Sequence, residues 1–338
     1  MSQCSPFIAH RSLTLVLAVM VSMNGCGRDD TTVSRHPLQT ANTGSAASPS
    51  ATGTGLSAAT VQNAPFDLDA VLAGIPDDAT PLRQKLQREF EVAFVWDDRD
   101  EGKVLVAQLG FRPKLGDADL VALAGLEGSL DLILTGTPIS DRGLALLARM
   151  RTTQRNNRAL LGEIWELSLA YTKISDAGLT HLATLTSLRG LDLTRTAVTD
   201  AGLAHLAKLT NLRRLILART QVKGAGLQHL RSLTALTELD LEGTAVNDEG
   251  LHQLPVLPQL RKLVLRASRI TDTGLSRLKE LPALEELDIT QTLISDGCVA
   301  YLKELKKLRR LRVVDKTGLT ERGAMQLRLA LPESVRID

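Results

Sequence analysis

Three histidines and six aspartates recur at regular positions in this chain, and both series invite a chemical reading. His181, His205 and His229 follow one another at intervals of 24 residues. An imidazole column of that kind can bind metal or respond to pH near neutrality. No acidic or cysteine ligand accompanies the histidines at their position, and duplication of a repeat copies its residues. Neither a metal nor a cofactor is therefore expected. Asp141, Asp176, Asp200, Asp248, Asp272 and Asp296 each stand ahead of an apolar run of helical spacing. An aspartate there can act as an N-cap, accepting from the first free N–H groups at the positive end of the helix dipole. Capping is the role expected of all six. Cys4, Cys26 and Cys298 lie far apart with no CxxC pair, so they supply neither a disulfide framework nor a zinc site.

Catalytic arrangements are equally scarce. The chain has no GxSxG, HExxH or Gly-rich phosphate loop, and no Ser/His/Asp grouping outside a repeating context. An enzyme would need its site in residues 66–103 or 151–161, and no enzymatic activity is expected. The net charge of +2 is the near-cancellation of 40 basic and 38 acidic residues, which gives no overall attraction to nucleic acid. With two Trp, two Tyr and five Phe, platforms for base stacking are also missing.

What spaces these residues is a repeat. Leu167, Leu191, Leu215, Leu239, Leu263, Leu287 and Leu311 return every 24 positions. One period reads L-x-x-L-x-L-x-x-T-x-V/I-T/S-D-x-G-L-x-x-L-x-x-L. Its first part alternates with period two, as a strand does. Its second part repeats every three residues, which suits a short helical or 3₁₀ turn. Thr137, Thr172, Thr196, Thr220, Thr244, Ser268 and Thr292 form a column where the chain leaves the strand. Their hydroxyls can bond neighbouring backbone or one another. Cys298 replaces the recurring glycine and reads as a small buried thiol.

The pattern LxxLxLxxT followed by TDxGLxxLxxL resembles the leucine-rich repeat family, in the 24-residue T-D-x-G-L form that also occurs in bacterial exported proteins. This chain carries Thr in the column where most such repeats carry Asn. The resemblance runs from about Val104 to the C-terminus. It implies an α/β solenoid, with a curved parallel sheet on the concave side, short helices on the convex side and a small N-terminal cap.

The domain layout follows from composition. Residues 1–26 read as a lipoprotein-like export signal: a weakly basic start, an apolar run over Ser12 to Met23, then Gly25 and Cys26. That run is too short to span a bilayer and suits a signal core. Cys26 is the candidate lipidation site. The expected location is the cell envelope outside the cytoplasm, anchored to a membrane by lipid, or else periplasmic or secreted. Residues 27–65, rich in Ser, Thr, Ala, Gly and Pro, read as a disordered linker. Residues 66–103 are the cap, with a helix expected from Pro81 toward Ala93 and broken by Asp97, Asp98 and Arg99. Residues 104–338 are the repeat domain, interrupted by an insertion at 151–161. That insertion carries Arg151, Arg155 and Arg158 and reads as an exposed basic loop.

The candidate binding residues are those flanking the core leucines on the concave strands: Glu166, Asp192, Arg214, Glu238, Asp240, Glu242, Lys262, Arg266, Glu286, Asp288, Arg310 and Arg312. Glu238, Asp240 and Glu242 form an acidic stripe flanked by Lys262 and Arg266. Such rows either neutralise each other across strands or present a recognition surface to a protein or peptide partner. The function expected is a protein–protein interaction module, with a self-assembling structural component of the envelope as the alternative. One repeat cannot bury its apolar face alone, so only stacking stabilises it. Leu239→Asp in the middle of the array should uncouple its two halves. A single unchanged thermal unfolding transition in that variant would refute the stacked arrangement.

Overall fold

A computed structural model describes residues 67–76, 78, 80–99, 101–155, 157–313 and 317–338. The expected export signal with Cys26 and the expected linker over 27–65 lie outside the described residues. The chain begins with helices α1 (Leu68–Ala73) and α2 (Thr80–Phe90), followed by the hairpin β1 (Ala93–Arg99) and β2 (Gly102–Gln108). Parallel strands then add one per turn: β3 (Ser129–Ile133), β6 (Glu163–Ser168), β7 (Gly190–Asp192), β8 (Arg214–Ile216), β9 (Glu238–Asp240), β10 (Lys262–Val264), β11 (Glu286–Asp288), β12 (Arg310–Arg312) and β13 (Arg336–Ile337). With β1 at one edge and β13 at the other, these eleven strands form one sheet in which only β1 and β2 are antiparallel.

The register reproduces the repeat. Leu167, Leu191, Leu215, Leu239, Leu263, Leu287 and Leu311 lie directly beside one another, and none is more than 2% exposed. The return segments behind the sheet are brief. Some are α-helical, such as α3 (Asp141–Thr152) and α4 (Asp176–Leu182); others, such as Gly202–Lys208 and Thr273–Glu280, are 3₁₀. The leucines of GLxxLxxL point inward from these segments, and one apolar core runs through the array from Leu72 to Val335.

The aspartates do something other than cap their own turns. Where a side chain caps the turn, it belongs to the residue before the aspartate: Ser140 accepts from the Arg142 N–H, Ser175 from Ala177 and Asn247 from Gly250. The aspartate instead holds the capping residue of the next repeat. Asp117, Asp141, Asp176, Asp248, Asp272 and Asp296 each accept a backbone N–H at 2.8–2.9 Å and a hydroxyl at 2.5–2.7 Å, from Ser140, Ser175, Thr199, Thr271, Ser295 and Thr320 respectively. This corrects the expectation from sequence. Its physical reason is that a side chain at the first helical position lies closer to the neighbouring turn than to its own free N–H groups.

The recurring glycine completes the arrangement. A Cβ on Gly143 would stand 2.5 Å from Asp117 Oδ1, and Gly178, Gly202, Gly274 and Gly323 approach the preceding aspartates in the same way. One step departs from the pattern. Asp200 accepts three backbone N–H groups, from Lys223, Gly224 and Gly226, at 2.9–3.0 Å. The aspartate position of the following turn is Gly224, at φ +114°, and its backbone packs directly on Gly250.

Six hydroxyls of the threonine column bond the carbonyl three residues back, as Thr196 does to Leu193 at 2.7 Å, and not one another. Ser268 Oγ is buried and unpaired. Just before each column member the chain turns through a left-handed residue: Gly136, Tyr171, Arg195, Arg219, Gly243, Ala267 and Gln291, with φ between +54° and +67°, and Phe111 does the same after β2. The N–H freed there donates to the next turn, as from Arg195 to the Ala218 carbonyl at 2.9 Å.

The N-terminal segment differs from its sequence reading. The helix ends at Phe90, and Asp97, Asp98 and Arg99 are strand residues rather than breakers, because the open edge of β2 gives this β-prone segment a ladder to pair with. The insertion is not a free loop either. It forms a small hairpin, β4 (Gln154–Arg155) with β5 (Arg158–Ala159). Arg155 donates to the Ile75 carbonyl at 2.6 Å, while Arg151 and Arg158 pair with Glu163 and Glu127.

The Thr320 hydroxyl and N–H hold the Asp296 carboxyl below the usual range. At Asp248 burial pulls upward, but bonds from Thr271 and Thr273 outweigh it and the net shift is downward. Groups with a depressed folded pKa stabilise the fold above their unfolded pKa, near 3.9, and this contribution is lost as pH falls through the folded value. Asp248→Ala should cost about 1–3 kcal/mol at pH 7. It should also lessen the loss of stability below about pH 4. Urea unfolding at the two pH values measures both effects.

Candidate functional site

The parallel register brings the predicted binding residues into three rows on the concave sheet, with neighbouring strands about 4.8 Å apart. The first row runs Glu166, Gly190, Arg214, Glu238, Lys262, Glu286, Arg310. Its charges alternate and largely pair. Arg214 meets Glu166 at 2.6 Å, Lys262 meets Glu238 at 2.5 Å and Arg310 lies 3.9 Å from Glu286. Glu166 reaches Arg214 two strands away only because Gly190 lies between them: a Cβ there would coincide with the glutamate carboxylate.

The second row runs Ser168, Asp192, Ile216, Asp240, Val264, Asp288, Arg312. Here the carboxylates are separated by aliphatic strand positions. Asp192 accepts from the Thr194 N–H and hydroxyl at 2.9 and 2.6 Å, and Asp288 does the same with Thr290 at 3.1 and 2.7 Å. Asp288 also lies 3.6 Å from Arg312 and is only 7% exposed, so it is less accessible than its concave position implies. Asp240 accepts the Glu242 N–H at 2.8 Å and has no ion-pair partner among the described residues.

Glu242 and Arg266 lie just beyond the strands. The partner of Glu242 is Arg219, at 3.1 Å, from the left-handed column. Arg266, expected to flank the acidic stripe, makes no ion pair among the described residues. Val314, a neighbouring concave position, lies outside the described residues. The acidic stripe is thus largely neutralised, through Lys262 at one end and Arg219 at the other, leaving Asp240 at its centre.

Burial sets the electrostatics of that centre. It pushes the Asp240 carboxyl up to about 6, the Glu242 N–H pulls the other way, and the charges of Glu242 and Glu238 add to the rise while Lys262 opposes it. Asp131 is likewise raised to about 6 by burial, despite Arg99 Nη2 at 2.5 Å; its Oδ1 is buried and unpaired. Sequence reasoning gave Arg99 only a helix-breaking role and passed over Glu101, Trp165, Arg189 and Arg213, which meet at one rim of the sheet. The available signal was positional: Trp165, Arg189 and Arg213 fall in step one residue ahead of the strand repeat. The histidine column lies on three successive return segments. Among the described residues, no group of three or more His, Cys, Asp or Glu is placed to hold a metal ion. Burial, followed by Asp272 and Asp296, pushes the Cys298 thiol up to about 12, so this buried cysteine is a poor nucleophile.

An acid whose pKa is raised in the fold destabilises it while ionised. The penalty at Asp240 is present above about pH 6 and disappears as pH falls toward the unfolded value near 3.9. Asp240→Asn keeps an acceptor for the Glu242 N–H and removes the charge. It should raise the melting temperature at pH 7 and leave it unchanged at about pH 4, which thermal scans across that range test directly.

A family model described as Leucine Rich repeat matches residues 232–252, the stretch that carries β9 and the turn behind it. Comparison with curated proteins gives no match. The matched segment is one turn of an array whose other turns share its strand register, its buried leucines and its left-handed strand exit, and the fold is that of a leucine-rich repeat solenoid.

Proposed function

We propose that the protein is an exported leucine-rich repeat module, lipid-anchored through Cys26, that binds a protein or peptide on the concave side of its sheet. Leucine-rich repeats as a class suggest a protein-interaction role. The observation that carries the finer reading is the division of labour within each turn. Leu, Thr, Asp and Gly are occupied with stacking, while the residues between them on the concave strands vary from turn to turn. Asp192 and Asp240 are the half-exposed carboxylates of the second row, two strands apart across Ile216. A partner would meet a nearly neutral surface of paired charges with these acceptors and Arg266 set into it. Recognition of that kind depends on matching a fixed pattern of groups more than on net attraction.

The second reading, a self-assembling envelope component, is favoured by Met325 and Leu329, one turn apart on the final helix α7 (Glu321–Ala330) and 66% and 79% exposed. The short helices α5 (Asp248–His252) and α6 (Val299–Leu302) precede it in the chain.

Cross-linking and pull-down from envelope extract, with the wild type and with Glu238→Lys/Asp240→Lys, tests the first reading. Capture by the wild type and its loss in the variant is the expected result; equal capture by both moves the site off this face. Size-exclusion chromatography across a concentration range tests the second, since a constant monomer would refute self-assembly. Labelling cells with palmitate tests the anchor: the wild type should take up label and Cys26→Ser should not.

A further inference from the structure

Along one rim of the sheet, one residue per turn stands just ahead of the residues that pair with the next strand: Trp165, Arg189, Arg213, Thr237, Arg261, Glu285, Arg309. The C-terminal part of this rim is balanced from within. Glu285 lies between Arg261 and Arg309, 3.9 and 3.8 Å from their guanidinium groups. The N-terminal part is not. Arg189 and Arg213 are adjacent, and no acidic residue of the rim stands between them. The carboxylate that meets them comes from outside the rim. Glu101, at the turn of the β1–β2 hairpin, places one oxygen on Arg189 and the other on Arg213, the latter at 3.2 Å.

The receiving site is built. The Arg189 guanidinium lies 3.5 Å from the centroid of the Trp165 ring, and Trp165 is 8% exposed. A guanidinium held on a buried indole loses less freedom when it binds a carboxylate. Burial, followed by the charges of Arg213 and Arg99, pushes the Arg189 pKa down, so the surroundings favour an incoming negative charge. The occupant is weakly held: Glu101 and Arg213 are 42% and 56% exposed, and exposed ion pairs of this kind contribute little net stability.

We propose that Arg189 and Arg213, with Trp165 behind them, form a carboxylate-binding clamp for an acidic segment of a partner protein, and that Glu101 fills it in the free molecule. The proposal rests on the reading of the solenoid as an interaction module and adds the chemistry of one contact. The present occupant is itself a glutamate in a β-turn, which is why an acidic polypeptide is the class that fits. Binding exchanges one carboxylate for another at the same two guanidinium groups. Affinity in the free protein is therefore lowered by competition from Glu101.

Fluorescence anisotropy with a labelled hexaglutamate peptide, on the otherwise unaltered protein at low ionic strength, tests this. Glu101→Gln should bind the peptide about two- to fivefold tighter than the wild type. Adding Arg189→Gln or Arg213→Gln to that background should abolish the gain. The Arg213 variant guards against misfolding, because its side chain is the more exposed. Glu101→Gln binding no tighter than the wild type would overturn the clamp, as would a gain that survives loss of either arginine. Free glutarate competing as well as unlabelled hexaglutamate would overturn the assignment to a polypeptide. The two readings fail separately. Capture of envelope proteins without a Glu101→Gln gain removes the clamp alone. A gain without any such capture removes the interaction module as proposed.

Discussion

The structure depends on one carboxylate shared between consecutive turns. Each aspartate of the T-D-x-G-L motif belongs to one repeat and satisfies donors of the next, an N–H and a hydroxyl everywhere but at Asp200, so the polar end of a turn is complete only when its neighbour is in place. That bond, the strand ladder and the N–H of the left-handed residue join adjacent turns at three points around the coil. Together they fix the register in which the leucines stack. The glycine two residues after the aspartate leaves room for the preceding carboxylate, and an added methyl at these positions would occupy the space of the oxygen. A sequence feature that looks like local helix punctuation is in fact the fastening between repeats.

Between the turns of Gly224 and Gly250 the fastening changes. There the carboxylate is replaced by close contact of two glycine backbones, while the strand ladder, the left-handed N–H bond and the core leucines continue without interruption. The array is thus uniform in its apolar interior and uneven in the polar bonds along its convex edge. Stacked solenoids derive their stability from nearest-neighbour interfaces, so such unevenness locates differences in local stability without any change of fold.

On the concave face the same stacking sets charges of opposite sign one strand apart, and most of them cancel. The glycine at position 190 extends this pairing across two strands. Among the described residues, what escapes cancellation is sparse: Asp192 and Asp240 in the second row, Arg266 beyond it, and one of the two positive charges of the Arg189–Arg213 pair at the rim. The rim pair receives its counter-charge from the N-terminal hairpin, which ties the cap to the third and fourth strands beyond it in the sheet. Cap and sheet rim are therefore electrostatically coupled through Glu101.

The repeat, its strand and turn halves, the buried leucines and the parallel stacking were all readable in the sequence, because each follows from local periodicity copied many times. The concave rows were readable too, since strand alternation assigns them. The partners of those residues were not. That Glu242 meets Arg219, that Glu166 passes over Gly190 to Arg214 and that Asp117 holds Ser140 depend on side-chain reach between turns, which no one-dimensional period encodes. The non-repeating parts were least legible. In the segment after Phe90 short-range spacing suits helix and strand alike, and the open edge of β2 decided for strand. The arginines of the 151–161 insertion gave no sign of their acceptors, because Ile75, Glu127 and Glu163 become their neighbours only once the chain has coiled. Sequence determined the shape of this protein through repetition; tertiary structure decided which charges remain available, because pairing is a property of distance in space.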